Sequence, residues 1–448
     1  MAWRRGRSLG WRGLEPERVE AIFARQRARD RFGHGAHLVA ALVFCFCLAL
    51  PTSVVEIALA PLLVTALVRI PRAWRVMLAP RRLPLPWLAL AWAGWMGTSA
   101  LWSVDPAGAT DELGYLRWLG LIVLLWPVLD RRDHLITALV AGFALGVLVQ
   151  VAHGLDVKFD LDWPGFRRQP GRLSGWWDPV VGGTLLCGAL GLNLAAAIYD
   201  RGGRRVAGLL LSGLTAAGIA ATGTRGAWVA GAALVVLALA PPLLRRGVRR
   251  RDLGALPFFA AVAALALLAS WSLVGPAVRA RAGAGLRELE VAWAAGHYES
   301  DTGRRLLMWW WAGHELAHRP VQGVGVGSYR AWAQAHAREH DPSAAPPSLH
   351  EHAHGMVPHA AATTGLVGLG LLASLLGTAL ISGLREPPGA EGPAGRRLGP
   401  ALGLAGVLLA GLFDTVHLSS QGAALLWTLA ALCQPGRPVA VPVRARRL

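Results

Sequence analysis

Charge is scarce in this sequence. Only 16% of the 448 residues are charged, whereas 54% are hydrophobic, and 20 residues are tryptophan. A chain this apolar is not an ordinary soluble domain. Cysteine is scarce as well, and the four cysteines lie inside or at the end of apolar runs, which argues against a disulfide framework. We therefore expect a polytopic membrane protein.

Long apolar runs recur along most of the chain, and many approach the ~20 residues that a helix needs to cross a bilayer. Short polar or arginine-rich connections separate these runs. The pattern predicts an all-α fold with about twelve transmembrane helices. The predicted spans are 36–51, 54–70, 84–102, 113–129, 134–153, 179–199, 206–223, 226–244, 255–275, 356–383, 400–415 and 418–434.

Arginine is unevenly distributed between the predicted loops. The formal net charge is +18, which in a soluble protein would suggest a nucleic-acid partner. Here the arginine-rich connections, such as 69–82 and 245–252, follow even-numbered spans, whereas connections after odd-numbered spans, such as 103–112, contain little arginine. This distribution follows the positive-inside rule and places both termini in the cytoplasm. It indicates membrane lipids rather than nucleic acid as the partner.

The spans and loops divide the chain into five predicted regions. They are a cytoplasmic segment 1–35, transmembrane helices in 36–275, a large periplasmic loop 276–355, transmembrane helices in 356–434 and a cytoplasmic tail 435–448. Long loops in compact proteins are usually functional or disordered. The large loop has helix-type spacing at 285–296, 304–318 and 328–340, so we expect an ordered helical loop domain.

A histidine cluster follows this loop. His350-Glu351-His352-Ala353-His354 satisfies the H-E-x-x-H pattern of zinc proteases, with Asp414 as a candidate third ligand. That pattern requires an established helix. Prolines in 341–348 precede it, and Gly355 and Pro358 follow it, so the sequence predicts at best a ragged helix start. A zinc site, a chance cluster at a wet helix end and other histidine chemistry all stay open on these residues alone.

Motifs in three predicted outer segments resemble those of one enzyme superfamily. Thr224-Arg225-Gly226 matches a short Ser/Thr-Arg-Gly signature. Arg305 and Trp309 precede the glycine-rich turn 323–327 at the spacing of a second signature. His354 precedes a Gly-Leu-Val-Gly-Leu segment by eleven residues, as a family histidine does. In these motifs and their order the chain resembles the O-antigen ligase and polymerase superfamily of polytopic glycosyltransferases.

The resemblance covers most of the chain and implies a reaction and a site. Such enzymes transfer a glycan from undecaprenyl diphosphate to a sugar hydroxyl of lipid A-core lipopolysaccharide, without a metal or cofactor, at the periplasmic side of the bacterial inner membrane. Arg225 and Arg305 are then the catalytic candidates for holding the diphosphate, because arginine neutralises a developing phosphate charge with forked donors. His354 is the candidate base, since the unperturbed pKa of histidine suits this proton transfer, and direct displacement inverts the anomeric carbon. The sequence departs from the family pattern at Gly355, Pro358 and Thr363.

Two arginines are candidates for substrate binding, each with a structural alternative. Arg117 either adds to the phosphate site or forms an ion pair with Asp111 or Glu112. Arg172, in the first outer loop, either meets lipid or lipopolysaccharide phosphates or is solvated.

Two ring-bearing residues complete the substrate-binding candidates. Trp309 either contacts sugar rings or, as part of a run of three tryptophans, anchors the membrane interface. His352 either binds sugar hydroxyls or faces water. Both alternatives stay open for each residue.

Other functions share parts of this pattern. An O-antigen polymerase or a protein O-oligosaccharyltransferase of the same superfamily uses the same donor and differs in the acceptor. A transporter or flippase would have charged residues inside its spans, where this sequence has few beyond Glu56 and Arg117. An intramembrane zinc protease is the remaining alternative.

Overall fold

The computed structural model describes residues 16–166, 169–244, 275–276, 279–340, 350–384 and 394–434. Most of these residues are helical, and the described ranges contain no β-strand, only an isolated bridge between Gln169 and Arg172. The predicted all-α fold is therefore confirmed. Nearly all of the predicted span 255–275, the tail 435–448, and two arginines of the first outer loop, Arg167 and Arg168, lie outside the described residues.

Sixteen α-helices are described. They are α1 (Pro16–Arg29), α2 (Arg31–Cys47), α3 (Thr52–Met77), α4 (Pro84–Ser99), α5 (Pro106–Gly114), α6 (Leu121–Leu124), α7 (Arg132–Phe159), α8 (Pro179–Tyr199), α9 (Gly203–Ala221), α10 (Arg225–Leu244), α11 (279–295), α12 (Asp301–His318), α13 (Tyr329–His340), α14 (Met356–Leu384), α15 (Ala394–Gly411) and α16 (Ser420–Leu432). Helices α11, α12 and α13 correspond to the three helices expected in the large loop.

Several helices have the length and composition of membrane spans. Within the described part of the chain, four stretches are long and apolar enough to cross a bilayer: Thr52–Arg82, Trp126–Phe159, Pro179–Tyr199 and Met356–Leu384. Three shorter helices are also apolar: Arg31–Cys47, Arg225–Ala240 and Ser420–Leu432. The protein is thus a multi-pass membrane protein, while the count of about twelve spans stays a prediction.

One predicted span differs from a single α-helix. Residues 113–129 contain two 3₁₀ segments, Tyr115–Gly120 and Trp126–Arg131, on either side of the one-turn helix α6. Pro127 has no amide hydrogen to donate, which favours a break in the α-helical hydrogen-bond pattern. Trp118 and Trp126 are nevertheless fully buried, so the segment packs inside the helical assembly.

Helix α8 lies in the core and anchors the site. In the apolar stretch of α8, 83% of the residues are buried. A Cβ atom at Gly191 would lie 2.2 Å from the carbonyl oxygen of Leu402, so this glycine lets α15 approach closely. At the start of α8, Pro179 accepts a hydrogen bond of 2.8 Å from the hydroxyl of Thr224. The core helix thereby fixes the turn that precedes Arg225.

Helix α14 is broken at Gly365, and the large loop fills the break. Gly365 has φ 64° and ψ −168°, a conformation essentially restricted to glycine. The amide of Leu366 donates to the carbonyl of Pro320 at 2.7 Å instead of continuing the helix. The carbonyls of 362–363 accept bonds of 2.9 Å from the amides of 324–325. The glycine-rich turn therefore completes the hydrogen bonding of a candidate membrane span, and we call this contact the α14 interlock.

Candidate active site

A cavity of about 370 Å³ lies between the first turns of α10 and α12, the helix α11 and the loop after α15. Its polar lining includes four arginines: Arg172, Arg225, Arg281 and Arg305. Its apolar lining includes Val229, Leu286, Leu289, Trp309 and Phe413. The structure therefore brings the predicted residues Arg225, Arg305, Arg172 and Trp309 together in one cavity.

Arg225 is positioned by the turn that precedes α10. Gly223 adopts a left-handed conformation with φ 64°, and the amide of Thr224 donates to the hydroxyl oxygen of Thr222 at 3.3 Å. Helix α10 begins at Arg225, whose guanidinium forms two hydrogen bonds with the carboxylate of Glu288, of 2.9 and 3.1 Å. It also donates to the hydroxyl of Thr302 at 2.9 Å. The sequence around Arg225 gave no sign of a carboxylate partner, because Glu288 lies 63 residues further along the chain.

The other arginines of the cavity are partly withdrawn from water, and they repel one another. Burial lowers the pKa of the Arg305 guanidinium, and Arg225 and Arg281 lower it further, against the opposing charge of Asp414. Burial and Arg281 likewise lower the pKa of Arg172. The side chain of Arg281 donates to the carbonyl of Gly223 at 2.9 Å. An anion in the cavity would relieve this mutual repulsion, since opposite charges favour the charged form of each arginine.

His354 lies in the loop before α14, close to the cavity wall. Its backbone has φ 47°, a left-handed conformation that a non-glycine residue adopts at a cost of roughly 1 kcal/mol or more. The indole nitrogen of Trp309 donates to the carbonyl of His354 at 3.2 Å and holds the loop against α12. Burial lowers the pKa of His354 to about 2, and His352 and Arg305 act in the same direction. His354 is therefore neutral near pH 7, and its lowered pKa makes it a weaker base than an unperturbed histidine.

His352 is next to His354 and is not among the residues that line the cavity. Its ring centroid is 4.7 Å from that of His354 and 6.5 Å from that of His359. Burial lowers the pKa of His352 to about 4. His359 in turn lies 3.1 Å from a carboxylate oxygen of Glu112, and its other ring nitrogen accepts a weak bond of 3.4 Å from the amide of Ala353. In these contacts, the carboxylate of Glu112 is the one that reaches this group of histidines, through His359.

Arg117 is not part of the cavity lining. Its guanidinium forms an ion pair with Glu56 of α3 and donates to the hydroxyl of Ser420 at 3.2 Å. One of the two interpretations of Arg117 was an ion pair. The structure contains an ion pair, but the partner is Glu56 rather than Asp111 or Glu112. The reason is that the 3₁₀ segment turns Arg117 towards α3 and α16.

The zinc-protease pattern does not form the arrangement that its chemistry needs. Residues 350–355 are a loop, and α14 begins only at Met356, so the two histidines of the pattern do not lie one turn apart on a helix. Within the described ranges no three His, Cys, Asp or Glu side chains are grouped as metal ligands. Asp414, the candidate third ligand, lies instead within electrostatic range of Arg305.

Three residues at the site were not predicted from the sequence: Arg281 and Thr302, which line the cavity, and Glu288, which binds Arg225. Arg281 and Glu288 lie on the inward face of α11, together with the buried Ala292. The spacing of Arg281, Gly285, Glu288 and Ala292 along one helical face was a signal that could have found them.

The helices long enough to cross a bilayer are those of a multi-pass membrane protein, and its arginine-lined cavity lies at the first turns of α10 and α12. Residues 210–373 match the family model described as O-antigen ligase, and this range contains Arg225, Arg305 and His354. The match confirms the resemblance and places a domain of the O-antigen ligase superfamily in this chain. No curated protein matches the chain significantly.

Proposed function

We propose that this protein is an O-antigen ligase-type glycosyltransferase. It moves a glycan from undecaprenyl diphosphate to a sugar hydroxyl of lipid A-core lipopolysaccharide, at the periplasmic side of the bacterial inner membrane. One observation carries the proposal: Arg225 and Arg305 line one cavity, and Trp309 in the same wall binds the loop of His354. The family match over all of these residues supports it.

The positive charge of the cavity suits a diphosphate, and its apolar lining residues suit the attached lipid. Arg225 and Arg305 supply forked donors for a leaving group whose negative charge grows in the transition state. Val229, Leu286 and Leu289 line the same cavity and are 55%, 70% and 43% exposed. These apolar side chains offer a route by which an isoprenoid tail leaves the cavity towards lipid.

The proposed reaction is a direct displacement. The acceptor hydroxyl oxygen forms a bond to the anomeric carbon, while the bond from that carbon to the phosphate oxygen breaks and its electron pair leaves with undecaprenyl diphosphate. The hydroxyl proton passes to His354, and the anomeric configuration inverts. The arginines balance the leaving-group charge, so no metal ion enters the proposed reaction.

Donor binding makes His354 a stronger base. Burial, His352 and the positive charge of Arg305 hold the pKa of His354 low. A diphosphate bound to Arg305 adds negative charge that opposes this lowering. Proton transfer to His354 therefore becomes more favourable when the donor is in place.

The test is in-vitro transfer with purified full-length protein, undecaprenyl-diphosphate-linked glycan and rough lipopolysaccharide, in excess chelator. We expect His354→Ala to abolish transfer, whereas His297→Ala, at an exposed histidine of the large loop, keeps it. Full activity of His354→Ala would contradict the assigned base. Dependence on added zinc would favour metal chemistry. Transfer only to a second lipid-linked glycan, or only to protein, would favour the polymerase or the protein O-oligosaccharyltransferase.

A further inference from the structure

We propose that Glu288 and Thr302 are positioning residues that orient Arg225 towards the donor diphosphate. The inference rests on the proposed function and adds two residues to its machinery. Neither residue lies next to Arg225 in the chain, and both contact its guanidinium.

The hydrogen bonds of Arg225 use one fork of its guanidinium and leave the other open. Nη1 and Nη2 each donate to one oxygen of Glu288, at 2.9 and 3.1 Å, so the end of the group is bound in a bidentate way. The remaining hydrogen of Nη1 is directed to Thr302 at 2.9 Å. Nε and the outer hydrogen of Nη2 have no partner among the described residues. These two donors lie side by side, as bidentate phosphate recognition requires.

Thr302 and Glu288 also hold each other. The amide and the hydroxyl of Thr302 both donate to the carboxylate of Glu288, at 3.1 and 2.6 Å. Burial opposes ionisation of Glu288, but the hydrogen bonds from Arg225 and Thr302 outweigh it and lower its pKa. The three side chains thus form a closed network in which Glu288 is the ionised centre. We call it the Arg225 network.

The Arg225 network joins the three helices that surround the cavity. Arg225 begins α10, Glu288 lies on α11, and Thr302 lies in the first turn of α12, three residues before Arg305. The network therefore sets the separation between the two arginines proposed to hold the diphosphate. Gly285 supports it, because a Cβ atom there would lie 2.5 Å from Nη1 of Arg225.

An alternative is that Glu288 merely competes with the diphosphate for Arg225. The two possibilities predict opposite kinetics for Glu288→Gln, which removes a negative charge and keeps the shape. If Glu288 only competes with the donor, the variant binds the donor more tightly and keeps its kcat. If Glu288 orients Arg225, kcat falls, because the transition-state charge is no longer met by an aligned fork.

The experiment measures kcat and donor KM separately in the transfer assay, with a thermal melt of each purified full-length variant to establish folding. We expect Glu288→Gln and Thr302→Val to lower kcat about 10- to 100-fold. Thr302→Ser keeps the hydroxyl and should restore most of the rate. Glu290→Gln is the matched control, because Glu290 is an exposed carboxylate on the same helix.

Three results would overturn the inference. Wild-type kcat in both Glu288→Gln and Thr302→Val would show that the network is not needed. A lower donor KM with unchanged kcat in Glu288→Gln would identify a competing carboxylate. Equal losses in Thr302→Ser and Thr302→Val would show that the hydroxyl has no part. Wild-type protein that transfers no glycan to any acceptor would instead remove the proposed function itself, and this inference with it.

Discussion

Replacement of Gly365 tests whether the α14 interlock holds the large loop on the membrane helices. An alanine Cβ at this position would lie 2.3 Å from the carbonyl oxygen of Val321, and its backbone would have to keep φ 64°. Either the kink persists with about 1–3 kcal/mol of backbone strain, or the helix straightens and the glycine-rich turn loses three hydrogen bonds at about 1 kcal/mol each. The second route costs about 3 kcal/mol, and the first reaches the same value at the upper end of its range. The population with a detached loop should then rise roughly a hundredfold, since 1.4 kcal/mol is a factor of ten.

Limited proteolysis measures that population. We expect the loop of Gly365→Ala to be cleaved roughly a hundredfold faster than that of the wild type, with a parallel loss of glycan transfer. Gly370→Ala is the control on the same helix, because no atom lies within 4 Å of the added Cβ. This control should be neutral or stabilised by about 0.5–1 kcal/mol. Equal cleavage rates in Gly365→Ala and the wild type would refute the reasoning.

Two further predictions concern the cavity. Gly285→Ala should lower transfer about tenfold by displacing the guanidinium of Arg225, whereas Gly283→Ala on the same helix should not, since its Cβ meets a neighbour only at 3.5 Å. The second concerns pH. The pKa of His354 is lowered to about 2, so the unfolded chain binds a proton below pH 6.5 that the folded protein does not. The contribution of this group to stability is fully present above pH 6.5 and falls below it, by about 1 kcal/mol at pH 5.5. Thermal melts at pH 7.5 and 5.5 should therefore show a smaller pH-dependent loss in His354→Ala than in the wild type, and an equal loss would contradict the assignment.

Local periodicity was sufficient to predict the helices of the large loop. The spacing at 304–318 and 328–340 produced α12 and α13 nearly as predicted, because each helix buries one face against the other and against α14. Residues 113–129 show the limit of such patterns. An apolar run favours burial equally in an α-helix and in shorter 3₁₀ segments, and the choice between them depends on packing against distant helices.

The candidate site was likewise predictable from the sequence only in part. The motifs around Arg225 and Arg305 pointed to phosphate chemistry, through the family resemblance that they carry, before any contact was known. Their surroundings could not be derived, because the carboxylate of Glu288 reaches Arg225 only after α11 folds over the start of α10. In the same way, the pairing of His359 with Glu112 joins helices far apart in sequence.

The α14 interlock has a consequence for engineering acceptor or glycan preference by exchanging loops between relatives. The amides of 324–325 complete the backbone of a helix that begins after the loop has ended. A transplanted loop that carries its own turn but meets a foreign α14 would leave carbonyls unsatisfied in an apolar setting. The smallest exchangeable module is therefore the loop together with the first part of α14, up to and including Gly365.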